Sequence, residues 1–322
     1  MRDIKITAAS TSIPSQTISN QQLSEIMDTS DEWITKRTGI KSRHISNKEN
    51  TSDLASNVAN KLLKQVNWQA EKLDLIIVAT MSPDNMTPST AAMVQGNVGA
   101  VNALAFDISA ACSGFSYGLS IAHDLMLANN YQKAMVIGAE VLSKLIDWKD
   151  RSTAVLFGDG AGGVILESSN ENHFLGKDLK TFGQLGDNLI AGHTSIAEDF
   201  RKNDHHLSAF QMDGREVYKF ATKSVPNSII SATKCVKIAL DQIDHYLLHQ
   251  ANSRIIDQVA RKLKQPIDKF PININEYGNT AAASEAILLA ECIEKEVIKK
   301  GDVIALSGFG GGLTIATIIY KF

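Results

Sequence analysis

The sequence predicts an α/β protein made of two similar halves packed into one body. Its 322 residues exceed the size at which one hydrophobic core usually stops growing, so two core units are expected. Short apolar runs of strand length alternate with stretches of helical periodicity, the pattern of buried, mostly parallel sheets with helices on their faces. The same order of parts then occurs twice.

The first half, residues 1–170, opens on Asp3-Ile4-Lys5-Ile6, which alternates as a strand does. A helix is expected from Asp53 to Val66, a buried strand from Leu73 to Ala79, and a helix from Ser89 to Val98. A strand at Ala103–Ile108, a long helix at Ser113–Ala128 and a strand at Ala134–Gly138 complete the set. From Ser168 to Asp213 the chain is rich in Gly, Asn, Asp and His, and residues 171–213 are expected to be an irregular connection. The second half, residues 214–322, is expected to form a helix from Glu216 to Leu240, a strand at His245–Leu248 and a helix at Ser253–Leu263. A strand near Pro271–Ile274, a helix from Ala281 to Ile298 and strands at Val303–Leu306 and Leu313–Tyr320 follow.

Composition narrows the function classes. A 44% hydrophobic and 21% charged chain with no long uncharged apolar run suits a globular protein and excludes a helical membrane spanner. The N-terminal residues lack the apolar segment of a secretory signal, which sets the expectation of a cytoplasmic protein. Three cysteines, Cys112, Cys235 and Cys292, have no CxxC pair and no neighbouring histidine cluster, so neither disulfides nor a metal site is expected. A net charge of −3 without a basic, aromatic-rich stripe makes nucleic acid a poor partner. A local basic patch remains compatible with an acidic protein partner.

Cys112 lies between a predicted strand and the start of a long helix, where N–H groups and partial positive charge favour a thiolate and a developing oxyanion. The bland reading is a small apolar side chain in a tight turn, which also fits Cys235 and Cys292. His249 follows the strand Tyr246-Leu247-Leu248, at the kind of strand end where ligands gather in α/β sheets. The other histidines, His44, His123, His173, His193, His205, His206 and His245, are expected to be surface or packing residues. Asn279 starts the helix that matches, in the second half, the helix after Cys112. By itself it reads as an N-cap; under a pseudo-twofold relation it would meet Cys112 and His249 in one cleft.

Two glycine clusters need separate readings. Gly158-Asp159-Gly160-Ala161-Gly162-Gly163 fits GxGxxG, but Val164-Ile165-Leu166 reads as a strand where dinucleotide binding requires a helix, so a hairpin turn is expected. Gly308-Phe309-Gly310-Gly311-Gly312 lacks the Lys-Ser/Thr of a phosphate loop; its bare backbone suits a close approach to a thioester.

In sequence the chain resembles the β-ketoacyl-acyl-carrier-protein synthase III family of thiolase-fold condensing enzymes over essentially its whole length. The likeness is carried by Asp28-Thr29-Ser30-Asp31-Glu32-Trp33-Ile34, Arg37-Thr38-Gly39-Ile40, Ala110-Ala111-Cys112-Ser113-Gly114-Phe115, Asp150-Arg151-Ser152-Thr153, Phe157-Gly158-Asp159-Gly160-Ala161-Gly162, His249-Gln250-Ala251-Asn252, Tyr277-Gly278-Asn279-Thr280 and the second glycine cluster. A Cys, His, Asn set separates this branch from elongating synthases with two histidines. The resemblance implies a layered αβαβα body and a decarboxylating condensation of an acyl-CoA starter, acetyl-CoA first among them, with malonyl-acyl carrier protein, without a cofactor. It implies Cys112 as nucleophile, His249 and Asn279 as donors to the malonyl thioester oxygen, and an oxyanion hole from the N–H groups of Cys112 and Gly311. Coenzyme A contacts are implied at Trp33, Arg37, Arg151 and Asn252, carrier-protein contacts at Gln250, Ala251, Asn252, Ser253 and Arg254, and a homodimer as the assembly. Ile315 stands where the family usually has Trp, and Thr87 where many members have an aromatic residue; both bear on the choice of starter.

Two competing readings are weighed against this one. A papain-like hydrolase also has the order Cys, His, Asn, and its His and Asn lie roughly 130–150 residues after Cys, as His249 does here. The 111 residues before Cys112 and the absence of that family's C-G-S/A-C-W/Y signature argue against it. A non-catalytic acyl-CoA-binding scaffold would not need Cys112, His249, Asn279 and the glycine cluster together.

Overall fold

The structure is a computed structural model, and it describes residues 3–194, 196, 199, 201 and 207–322. The expected surface residues His205 and His206 lie outside the described residues, as do Met1 and Arg2. In chain order the elements are strands β1 (Asp3–Ser12) and β2 (Thr17–Ser19), helices α1 (Asn20–Ser24) and α2 (Asp31–Thr38), strand β3 (Ser42–His44), helix α3 (Thr51–Val66) and strand β4 (Leu75–Ala79). Next come α4 (Thr90–Val98), β5 (Leu104–Ile108), α5 (Gly114–Asn129), β6 (Lys133–Glu140), α6 (Arg151–Ala154), β7 (Gly160–Ser169), β8 (Phe174–Thr181), β9 (Leu189–Ile190) and β10 (Gln211–Met212). The chain ends with α7 (Gly214–Val236), β11 (His245–Leu248), α8 (Ser253–Leu263), α9 (Ile274–Tyr277), α10 (Ser284–Glu294), β12 (Val303–Gly310) and β13 (Thr314–Lys321).

Five layers result. One sheet has the order β1-β7-β6-β4-β5 and the other β11-β12-β13-β8. Between them lie α5 and α10, whose Phe115, Leu119, Ala286 and Leu289 pack on Ile77 and Val136 of the first sheet and on Leu247 and Leu306 of the second. The opposite face of the first sheet, through Ile76, Val78 and Ile137, is covered by α3 and α4. The outer face of the second sheet, through Tyr246, Leu248 and Ala305, is covered by α7 and α8. Successive side chains of a strand point to opposite faces, so a strand covered on both reads as an uninterrupted apolar run, as Leu75–Ala79 does.

The structure corrects several expectations. The sheets are mixed, not mostly parallel: β4 runs parallel to β5 and β6, and β11 to β12, whereas β1, β7, β8 and β13 pair antiparallel. The turn between β12 and β13 is too short to cross the sheet, so the second strand must return antiparallel. The stretch expected to be irregular contains β8, an eight-residue edge strand of the second sheet. No strand forms at Pro271–Ile274. The N–H groups of Asn273 and Ile274 donate instead to Gln250 Oε1, at 3.1 and 3.3 Å, and α9 begins there. The helix expected to reach Leu240 ends at Val236, and that expected from Ala281 to Ile298 is a 3-10 turn at Ala281–Ala283 followed by α10.

The GxGxxG cluster is not a hairpin turn; Gly160 to Gly163 are part of β7. Gly162 is required by close approach, because α10 lies directly on this strand, while Gly163 faces Ile137 and Val58 on the other side. A Cβ added to Gly162 would stand 2.7 Å from Ile287 N and 2.8 Å from Ala286 C. Both neighbours are backbone of a buried helix and cannot turn aside, and overpacking of this kind typically costs about 1–3 kcal/mol. Gly162→Ala is therefore expected to lower the unfolding free energy, read from urea titration, by an amount at the upper end of that range; an unchanged stability would show that α10 can shift freely.

Candidate active site

The nucleophile candidate is placed by two similar turns that meet between the sheets. Cys112 sits in the 3-10 turn Ala111–Ser113 that leads into α5, and the turn Ala281–Ala283 leads in the same way into α10. Ala111 and Ala281, at matching positions, both have positive φ, 44° and 41°, which a residue with a side chain adopts only when its surroundings enforce it. The two turns pack on each other and on β12 and β6. In β12 alternation sends the bare faces of Gly308 and Gly310 toward Cys112. A Cβ on Gly310 would lie 2.8 Å from Cys112 N and 3.1 Å from its Sγ. The glycine cluster thus makes room for the cysteine turn itself.

Cys112, His249 and Asn279 line one cavity of about 150 Å³. Its walls are largely apolar, with Phe157 stacked on Phe210 at 4.4 Å and Met81 and Leu189 beside them. His249 extends β11 by one residue, its N–H donating to Ser307 O at 3.0 Å, and its ring meets Phe309 edge-on at 5.1 Å. The imidazole is 1% exposed and Nδ1 has no partner, so burial pushes its pKa down to about 3 and keeps it neutral. Asn279 is held by its backbone between Leu156 and Gly158. Its Oδ1 accepts from Ala281 N at 2.9 Å, which leaves the amide NH₂ as its remaining donor group. It is not the cap residue expected; Thr280 and then Ala283 occupy the cap positions.

The expectation of a resting thiolate is not met. Burial pushes the Cys112 thiol well above the usual thiol range, and the nearby carboxyls of Glu140 and Glu285 push it further in the same direction. These two glutamates were not anticipated from sequence. Burial raises both, Glu140 to about 7 and Glu285 to about 8. A lone charge inside the apolar run Ala281–Ala290 was the available signal for Glu285.

A groove of about 530 Å³ adjoins the cavity and shares Leu156, Gly214, Tyr218 and Asn252 with it. Helix α2 is capped by Ser30, whose side chain accepts from Trp33 N, and by Gly39 in the left-handed conformation, φ 84°. Trp33 and Arg37, four residues apart, therefore share a face. The guanidiniums of Arg37 and Arg151 lie 4.7 and 5.4 Å from the Trp33 ring. Asn252 caps α8, accepting from Arg254 N at 2.9 Å, while its Nδ2 donates to Arg37 O at 3.0 Å. Arg215 and Arg254 complete a basic lining on a chain of net charge −3. Arg215 was missed because nothing in its sequence places the start of α7 beside α2.

Other expected residues fall elsewhere. Gly310 lines the cavity, whereas Gly311 lines a neighbouring groove with Ala110 and Ala111. Gln250, expected on the carrier-facing surface, is 1% exposed; it receives the N–H groups of Asn273 and Ile274 and donates to Leu248 O, so its side chain is internal structure. Ala251 and Ser253 are partly exposed and Arg254 exposed. Ile315 is buried in the outer layer among residues of α7 and α8, away from the cavity, and Thr87 is exposed. Among the described residues no group of three or more His, Cys, Asp or Glu is placed to hold a metal, and no helix is long and apolar enough to cross a membrane.

Comparison with known proteins shows the family of the chain and its fold. The family model of 3-oxoacyl-[acyl-carrier-protein (ACP)] synthase III matches residues 106–183, and the model of its C-terminal part matches residues 235–322. A β-ketoacyl-[acyl-carrier-protein] synthase III from Limosilactobacillus reuteri (strain DSM 20016) is 60% identical over the full length of both chains. One from Streptococcus mutans (strain UA159) is 52% identical over 98% of each. The crystal structure of 3-oxoacyl-[acyl-carrier-protein] synthase III from Aquifex aeolicus VF5 matches with a TM-score of 0.92 and 40% identity, covering 99% of this chain and 100% of that one.

Because burial holds Cys112 as a thiol, the ligand-free protein is expected to alkylate at Cys112 at least tenfold more slowly than at the exposed Cys235 when treated with iodoacetamide at pH 7. Faster labelling of Cys112, read by peptide mass spectrometry, would mean that the resting site already favours the thiolate.

Proposed function

The chain belongs to the 3-oxoacyl-[acyl-carrier-protein] synthase III family, and from that premise we propose how its residues divide the reaction. It is an acyltransferase that condenses an acyl-CoA starter with malonyl-acyl carrier protein, releasing carbon dioxide and giving the 3-oxoacyl-carrier protein that begins fatty acid synthesis. The observation that carries the division of roles is that Cys112, His249 and Asn279 line one small cavity beside a basic groove.

Cys112 takes the acyl group. Its sulfur attacks the thioester carbonyl, coenzyme A leaves as the thiol with the proton that Cys112 gives up, and the N–H groups of Cys112 and of the β12–β13 turn, Gly311 included, hold the transient oxyanion. Malonyl-carrier protein then enters. Loss of carbon dioxide leaves an enolate, which His249 and Asn279 stabilise as two neutral donors before it attacks the acyl carbonyl and Cys112 departs as the thiolate, which takes a proton from water to return to the resting thiol. A charged imidazolium would compete by protonating the enolate carbon, and the burial of His249 prevents that charge. The basic groove suits the phosphates of coenzyme A, with Trp33, Arg37, Arg151 and Asn252 at its wall. Arg254 beside it, with Ala251, Asn252 and Ser253, suits the acidic carrier. The largely apolar wall of the cavity around Cys112, with Phe157, Phe210, Met81 and Leu189, suits a short apolar starter such as acetyl.

The reading includes no cofactor, a place in the cytoplasm and a homodimer. Among the described residues strand β5 closes one end of its sheet with an unpaired edge, and Val101 and Leu104 are exposed at its start, the kind of surface a second copy would cover.

Incubation with acetyl-CoA is expected to add one acetyl mass, on Cys112, and none after Cys112→Ser; acetyl on Cys235 or Cys292 would overturn the assignment. His249→Ala and Asn279→Ala are expected to keep most of this acylation and to lose malonyl decarboxylation by about 10²–10³-fold each, the usual cost of one oxyanion donor. Loss of acylation with decarboxylation intact would reverse the roles. Arg254→Glu is expected to weaken malonyl-carrier condensation and its salt dependence more than acylation by acetyl-CoA; equal loss of both would make Arg254 a coenzyme A contact alone.

A further inference from the structure

Glu285 is the second residue of α10 and is completely buried. One side of its carboxyl is occupied by Ser116 at the start of α5, whose hydroxyl donates to Oε1 at 2.8 Å. The other oxygen, Oε2, has no hydrogen-bond partner. That oxygen faces the bare side of Gly308: a Cβ built there would lie 2.5 Å from Glu285 Oε2, 2.7 Å from Ser113 Cα and 3.0 Å from Cys112 O. The carboxyl and the nucleophile's own turn thus converge on one glycine. Any side chain at 308 would separate them.

Glu140 makes an instructive contrast. It too is fully buried near Cys112, but its carboxylate receives the Ser82 hydroxyl, Thr80 Oγ1 at 3.2 Å and Met81 N at 3.2 Å, with a further bond from Ala282 N. Those donors offset part of the cost of burying the charge, so Glu140 rises only to about 7. Glu285 has only Ser116. Both carboxyls oppose the Cys112 thiolate, Glu140 more than Glu285, because in a dry interior ionisation of one group disfavours ionisation of its neighbour.

We propose that Glu285 is a positioning residue for the nucleophile, coupled to Cys112 so that a negative charge on one disfavours a charge on the other: the protonated carboxyl lets the thiolate form, and the carboxylate opposes it. The proposal rests on the reading of Cys112 as the acyl carrier. Burial, which lifts Glu285 to about 8 and leaves it protonated at neutral pH, supports it. The titratable groups near this point on the elements packed against α10 are Cys112, Glu140 at the end of β6 and His249 after β11, the last neutral. Asp3, Lys5, Lys133, Glu167 and His245 lie at the opposite ends of their strands, His123 and Asp124 lie two turns further along α5, and Glu291, Glu294 and Lys295 are at the far end of α10. Below pH 8 both groups are therefore protonated at rest, and the one negative charge the pair can take up is open to the sulfur. Above it, Glu285 ionises and the cysteine becomes harder to activate.

The test is the pH dependence of Cys112 alkylation by iodoacetamide in the full-length protein, wild type against Glu285→Gln, followed on the Cys112 peptide with exposed Cys235 as internal reference. Coupling of about one pK unit makes the ratio of variant to wild-type rate constants climb about tenfold between pH 6.5 and 9.5, with no change at Cys235. A ratio that is flat with pH, whatever its value, overturns the proposal, because a packing role shifts the rate equally at every pH. Glu285→Ala, which also removes volume, should show the same climb on top of a uniform change and serves if the Gln variant does not fold. Acetyl transfer to Cys112 is read separately: its absence with the climb intact removes the acyl-carrier reading alone, and a flat ratio with acetylation intact removes the coupling alone.

Discussion

The structure depends on the burial of two helices between two sheets. No residue of Ser284–Ala290 in α10 is exposed, and the first half of α5 is almost as dry. A helix covered on all sides must start somewhere inside the protein, where its first N–H groups are away from water and have no intrahelical partner. Here the two helices start beside each other, on paired turns forced into positive φ. The same constraint that closes the central layer therefore leaves a buried sulfur at the middle of the molecule, beside a turn whose N–H groups are taken up by Asn279, Glu140 and Thr280. Glycines at 138, 162, 308 and 310 let backbone approach backbone closely enough for this to happen.

Dryness sets the electrostatics of the cleft. It keeps His249 neutral, Cys112 protonated, and Glu140 and Glu285 close to neutrality, so charge appears only as the reaction creates it. Donors fixed in a site of low dielectric stabilise a developing oxyanion more than the same donors in water. Charge is concentrated instead at the mouth, where Arg37, Arg151, Arg215 and Arg254 surround Trp33 and the end of α2. A net negative chain thus presents a locally positive entrance, and the local field decides which partners are drawn to it.

Much of this was legible in sequence because burial on both faces leaves plain apolar runs, and because helix and strand periods differ. Leu75–Ala79, Ser253–Leu263 and the helix after Cys112 fall where periodicity puts them, within a residue or two. What was not legible depends on neighbours distant in sequence. Strand β8 was hidden because an edge strand carries polar side chains: Lys177 pairs with Asp124, and Asp178 takes Lys180, Ser228 and Ser231. The apparent strand at Pro271–Ile274 was overridden by one buried amide, that of Gln250. The helix start beside Cys112 correctly marked its place in the fold but said nothing of how deep it lies. Depth, with Glu140 and Glu285 near it, reverses the expected preference for thiolate.

The central claim is that a neutral His249, kept so by burial, stands with Asn279 as donor to the enolate. Its most direct test is the protonation state of that imidazole, read from ¹⁵N NMR shifts of histidine-labelled protein with His249→Gln as the assignment control. An ordinary histidine titrates near pH 6.5. The account predicts that the His249 signals stay those of a neutral ring from pH 9 down to pH 5, consistent with a pKa near 3. A titration with its midpoint between pH 5 and 7 would contradict it, because the ring would then carry charge over part of the range where the account requires a neutral donor.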